Sequence, residues 1–103
     1  MSNSIDKLLV TLEDIKASNI TTINVEELTS YTDYIVIATA RSSRHAEAIS
    51  EHLKLENKEL INGNSITGKQ QSEWIVVDCK DVVIHVMTEQ MREFYQLEKI
   101  WLK

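Results

Sequence analysis

The residues of this chain that could do chemistry are few. They are three histidines (His45, His52 and His85), one cysteine (Cys79), the acids Asp33, Asp78 and Asp81, and the glycine-containing stretch GNSITGKQ at residues 63–70. Gly63, Gly68 and Lys69 have the G-x-x-x-x-G-K spacing of a phosphate-binding loop, but Gln70 stands where that loop needs Ser or Thr for magnesium. A strand opens at Trp74, which leaves no room for the helix whose N-terminus would hold phosphate. The stretch therefore reads as a loop using the chain's two glycines where the backbone needs freedom. On one helix, His45 and His52 would stand about 10 Å apart along the axis, too far to share a metal ion. No H-E-x-x-H or C-x-x-C is present. Cys79 has no evident activating base and there is no G-x-S-x-G elbow, so nothing marks a catalytic nucleophile. These observations predict no catalytic residue, no metal site and no cofactor.

The elements around these residues are more informative. EWIVVDCKDVVIHV, residues 73–86, reads as a β-hairpin with Cys79-Lys80 at its tip and Asp78 opposite Asp81. That register sets Val76 opposite Val83 and Trp74 opposite His85. Alternation then gives one face Ile75, Val77, Val82, Ile84 and Val86, an ordinary core. The other face holds Trp74, Val76, Asp78, Asp81, Val83 and His85. It is half apolar, so either the last helix or a partner must cover it. Aromatic anchors ringed by polar groups are what interface hot spots look like.

Residues 4–17 have the stripe Ile5, Leu8, Leu9, Leu12 and Ile15 of an amphipathic helix, with Ser4 as its N-cap. In ITTINVEEL, Ile23 and Val25 alternate with polar residues as in a half-buried strand. YIVIATA, residues 34–40, is a continuous apolar run expected of an inner strand. Ser42 or Ser43 caps the next helix, whose stripe is Ala46, Ile49 and Leu53, with a break near Glu56-Asn57. A loop-rich stretch follows with a short strand around Ile66. After the hairpin, Thr88 caps a last helix over 89–102. Met91, Phe94, Tyr95, Leu97, Trp101 and Leu102 share its broad apolar face, with Glu98 in the middle. Glu98 is either a rim carboxylate reaching water or Arg92, or a sign that the helix meets another molecule. The order predicts an α/β (α+β) fold, a mixed β-sheet of about five strands with packed helices.

The chain has 103 residues and a net charge of −5. That length predicts a single domain over residues 1–103. The charge argues against a broad or sequence-specific nucleic-acid-binding surface and suits a basic protein partner. No apolar run is long enough for a membrane span, and no leader is visible. One cysteine makes no internal disulfide, so the expected compartment is a reducing, bacterial cytoplasm.

YTDYIVIATARSSRHAEAI followed by EWIVVDCKDVVIHVMTEQMREFYQLEKIW resembles the Iojap family, the ribosomal silencing factors (RsfS-like). The residues carrying the resemblance are Asp33, Ser42-Ser43-Arg44-His45, Trp74, Asp78, His85, Arg92, Phe94-Tyr95, Leu97-Glu98 and Trp101. It runs from about residue 4 to the end. Ala40 and Lys80 stand at turn positions where the family usually or often has Gly. The resemblance implies a nucleotidyltransferase-like core without an established catalytic activity. It implies binding to the large ribosomal subunit through large-subunit ribosomal protein fourteen, a block to joining of the small subunit and repressed translation. It also implies a homodimer when the protein is free, and a role in large-subunit biogenesis among organellar relatives. The partner-binding residues it suggests are Trp74, Asp78 and His85 on the hairpin, with Arg92, Tyr95, Leu97, Glu98 and Trp101 beyond it. Each is equally open to a structural role. Two further readings stand beside this one. The first is a magnesium-dependent nucleotidyltransferase using Asp33, Asp78 and Asp81. The second is a homodimeric scaffold whose apolar face serves only self-association.

Overall fold

The computed structural model describes residues 2–28, 30, 32–57, 66–67, 73–79, 81–96 and 99. Its elements are α1 (Ser2–Asp14), β1 (Ser18–Asn24), β2 (Tyr34–Ala40), α2 (Ser43–Glu56), β3 (Ile66–Thr67), β4 (Trp74–Cys79), β5 (Val82–Thr88) and α3 (Glu89–Tyr95). The strands form one mixed sheet in the order β1-β2-β5-β4-β3. β2 and β5 run parallel, while the β1–β2, β4–β5 and β3–β4 pairs are antiparallel. The α+β class and the element order are those expected from the sequence.

α1 and α2 cover one face of the sheet. Leu8 and Leu12 of α1 and Ala46, Ile49 and Leu53 of α2 are fully buried against Val36, Ala38, Ile75, Val77, Ile84 and Val86. Burial of such side chains contributes about 1.5–3 kcal/mol for each Leu or Ile. β2 is buried from Ile35 to Ala40, as its unbroken apolar run requires. The opposite face carries a smaller core of Ile23, Val25, Ile35, Ile37 and Met87, with Trp74 and Met91 packed on it. α3 lies over one end of that face, against β5 and β2.

Three helix boundaries differ from expectation. α1 already starts at Ser2, so Ser4 lies within its first turn rather than capping it. α1 ends at Asp14, three residues early, because Lys16 turns left-handed at φ 65°. The Ala17 N–H then donates to the Leu12 carbonyl and the Lys16 N–H to that of Glu13, both at 3.0 Å, the bond pattern of a Schellman motif. α3 ends at Tyr95, within the expected span of 89–102, because Gln96 adopts φ 50° and donates its N–H to the Arg92 carbonyl; Lys99 is again helical, and the rest of that span lies outside the described residues. Ser42 caps α2 as expected, accepting from the His45 N–H at 3.1 Å. Thr88 occupies the N-cap position of α3 without making a side-chain cap bond. α2 ends at Glu56 with Asn57 as its C-cap, where the break was expected.

Candidate docking surface at the hairpin and the third helix

The hairpin pairs two residues out of the expected register. Cys79 faces Val82, Asp78 faces Val83, Val76 faces His85 and Trp74 faces Met87. Cys79 is therefore the last paired residue of β4, not part of the tip as expected, and Lys80 lies outside the described residues. A slip of two leaves every paired side chain on its predicted face. Trp74, Val76, Asp78, Val83 and His85 share the second face, joined by Met87. Asp81 moves off that face into the exposed turn. There its carbonyl accepts N–H bonds from Asp33 and Tyr34, both at 3.0 Å, tying the start of β2 to the hairpin.

Trp74 and His85 are diagonal neighbours rather than opposite each other. The Trp74 indole Nε1 donates to His85 Nδ1 at 3.0 Å, with ring centroids 6.0 Å apart. Burial lowers the His85 pKa from its ordinary 6.5. A neutral ring accepting at Nδ1 carries its proton on Nε2, a tautomer assigned from this bond. The Tyr95 ring packs 4.8 Å from Trp74, and Phe94 meets Tyr95 edge-on at 4.9 Å. Phe94 is 78% exposed and Tyr95 46%. The four rings thus form a continuous line from the sheet surface to solvent. Sequence periodicity had put Phe94 on the broad apolar face of the last helix. The short α3 instead carries it past the sheet, and the E-F-Y run held no signal of this.

The remaining candidates separate. Asp78 is half-buried on the same face, one residue pair beyond Val76. Arg92 is turned back onto the protein. Its Nη1 donates to Thr39 Oγ1 at 2.8 Å and to the Asn19 carbonyl, and its Nη2 donates to Thr21 Oγ1 at 2.7 Å. Leu97, Glu98 and Trp101 lie outside the described residues, as do Lys80 and most of GNSITGKQ.

Cys79 is a buried strand residue, not an exposed turn thiol. Burial, with a contribution from Asp78, pushes its pKa from 9.0 up to about 12. His45 is also structural: the Arg41 N–H donates to Nδ1 at 2.9 Å, and Nε2–H donates to the Ile15 carbonyl at 2.8 Å. Among the described residues no group of three or more His, Cys, Asp or Glu side chains is placed to hold a metal ion. No described helix is long and apolar enough to cross a membrane.

The family described as "Ribosomal silencing factor during starvation" matches this chain over residues 1–103. The chain belongs to that family. It is similar to the ribosomal silencing factor RsfS of Haemophilus influenzae, at 36% identity over 94% of this chain and 96% of that one. It also resembles the mouse "Mitochondrial assembly of ribosomal large subunit protein 1", at 36% identity, where it spans 44% of the longer protein. Among solved structures, a Chromobacterium violaceum protein superposes with a TM-score of 0.86 at 32% identity, over 98% of this chain and 85% of that one. A Bacillus halodurans protein does so with the same TM-score at 27% identity, over 98% and 95%.

Proposed function

We propose that this protein binds the large ribosomal subunit through large-subunit ribosomal protein fourteen and sterically blocks joining of the small subunit, repressing translation. The observation that carries this reading is the line of rings from His85 through Trp74 and Tyr95 to the exposed Phe94. Large aromatic side chains that are anchored at one end and exposed at the other suit interface hot spots. The net charge of −5 favours encounter with a basic ribosomal protein. Asp78 adds a carboxylate to the same face. Silencing by occupancy requires only affinity for one docking surface, with no bond made or broken. The free protein, in this reading, is a homodimer in the bacterial cytoplasm.

A subunit-joining assay tests the proposal. Small and large subunits are mixed with and without the protein and separated on a sucrose gradient. Fewer joined ribosomes, with the protein riding on free large subunits, is the expected result. An unchanged joined fraction at saturating protein would contradict it. The mouse relative's printed name favours a second reading, assembly of the large subunit. Under that reading the protein would co-sediment with immature large subunits and leave the joining of mature ones unaffected.

A further inference from the structure

α3 is a weak helix to build a docking surface on. It has seven residues, and none of them is buried. Isolated helices of this length do not persist in water, so its position must come from tertiary anchors. Met91 supplies one, packing on the small core of the second face. Arg92 supplies the other, and its geometry is specific. The guanidinium spans two strands, bonding Thr21 Oγ1 and the Asn19 carbonyl on β1 and Thr39 Oγ1 on β2. The Asn19 carbonyl is available because β1 is irregular between Ser18 and Thr21, with Asn19 itself at φ 47°. Such bulges re-aim backbone groups that a regular ladder would consume. Arg92 thus lines the floor of a cleft of about 610 Å³ between β1 and α3. Tyr95, three residues along the helix, leans on Trp74.

We propose that Arg92 is a positioning residue. It ties α3 to β1 and β2 and so sets the Tyr95 and Phe94 rings against Trp74, instead of touching the partner itself. The family resemblance alone would count Arg92 among the contacts. The proposal rests on reading the ring cluster as the docking surface. A planar fork with several donors can serve three acceptors at fixed angles, whereas an ammonium group is a single point charge. Lysine at this position therefore keeps the charge and loses the clamp.

The test uses the full chain. Trp101→Phe leaves Trp74 as the only indole of the two present, so the long-wavelength edge of its near-ultraviolet circular dichroism, where tyrosine and phenylalanine do not absorb, reports the packing of that ring. Arg92→Lys, Arg92→Ala and Phe94→Ala are compared in that background. Affinity for purified large subunits is measured with Trp101 intact. The expected result is that both Arg92 variants alter the Trp74 signal and weaken large-subunit affinity about tenfold, with Lys failing to rescue. Phe94→Ala should weaken affinity and leave the Trp74 signal unchanged. Thr21→Val with Thr39→Val should reproduce the Arg92→Ala effect and add little to it. Affinity lost with an unchanged Trp74 signal would overturn the proposal, since Arg92 would then be touching the partner. An altered signal with full affinity would overturn it as well, because docking would not need the ring arrangement. If the wild type itself is not retained, the docking reading falls. The Trp74 signal of Arg92→Lys then decides separately whether the guanidinium places the rings.

Discussion

The Trp74 indole Nε1 donates to His85 Nδ1 at 3.0 Å, joining the two strands of the hairpin diagonally across the half-buried second face of the sheet. The bond needs a neutral imidazole, because a protonated ring has no acceptor to offer. Burial favours that state by lowering the His85 pKa below 6.5. As pH falls, the unfolded chain takes up its proton first, so the unfolded state gains relative to the folded one. Stability should be full above about pH 6.5 and decline below it, through the folded-state pKa. His85→Gln offers an acceptor that does not titrate. Urea midpoints at about pH 7.5 and about pH 5.5 should therefore differ more for the wild type than for this variant. Equal differences would show that His85 carries no part of the acid sensitivity.

Cys79 should be chemically silent. A thiol with a pKa near 12, in a strand and buried, presents almost no thiolate at neutral pH. A disulfide reagent at about pH 8 should leave the folded protein unlabelled and titrate the thiol once urea unfolds the chain. The raised pKa also means that the folded state holds its proton longer than the unfolded state does. Stability should accordingly fall as pH rises from 9.0 toward about 12. Rapid labelling of native protein would place Cys79 outside the core.

The start of α2 is held to the end of α1 through His45, which bonds the Arg41 N–H and the Ile15 carbonyl. His45→Ala leaves both backbone groups unsatisfied and should cost roughly 2–4 kcal/mol in denaturant unfolding. Ser42→Ala removes only the cap bond to the His45 N–H and should cost about 1 kcal/mol. Equal costs would mean that the imidazole bonds contribute little beyond the cap.

Lys16 carries a side chain at φ 65°, a conformation natural to Gly. Lys16→Gly should raise stability by about 0.5–1 kcal/mol through relief of that strain, partly offset by a freer unfolded chain. A lower urea midpoint would show that the lysine stem packs usefully at the helix end.

Those left-handed positions explain much of what the sequence hid. Schellman and αL caps are usually announced by glycine, but α1 and α3 are ended by Lys16 and Gln96. The helical pattern therefore seemed to run on in both places. The hairpin register was missed for a similar reason, since nothing between Asp78 and Asp81 has the Asn-Gly chemistry that marks a turn. Its faces were nevertheless legible, because a period of two survives a slip of two. The core stripes Leu8-Leu12 and Ala46-Ile49-Leu53 and the buried β2 were legible because periodicity and apolar runs report burial directly. The Arg92 clamp was not, because its β1 partner Thr21 lies 71 residues away in sequence. A local pattern does not contain such a contact.

The central claim is that the ring line ending at Phe94 is a docking surface for the large ribosomal subunit. The most direct test is co-sedimentation of the wild type, Phe94→Ala, Trp74→Ala and Glu98→Lys with purified large subunits at physiological salt. Phe94 is 78% exposed, so its removal should leave the fold intact. The account predicts that the wild type is retained and that Phe94→Ala, though folded by far-ultraviolet circular dichroism, is lost by tenfold or more in affinity, about 1.4 kcal/mol. Trp74→Ala should be lost at least as severely. Wild-type retention with Phe94→Ala and Trp74→Ala bound equally well would contradict the account and place the docking surface elsewhere on the molecule.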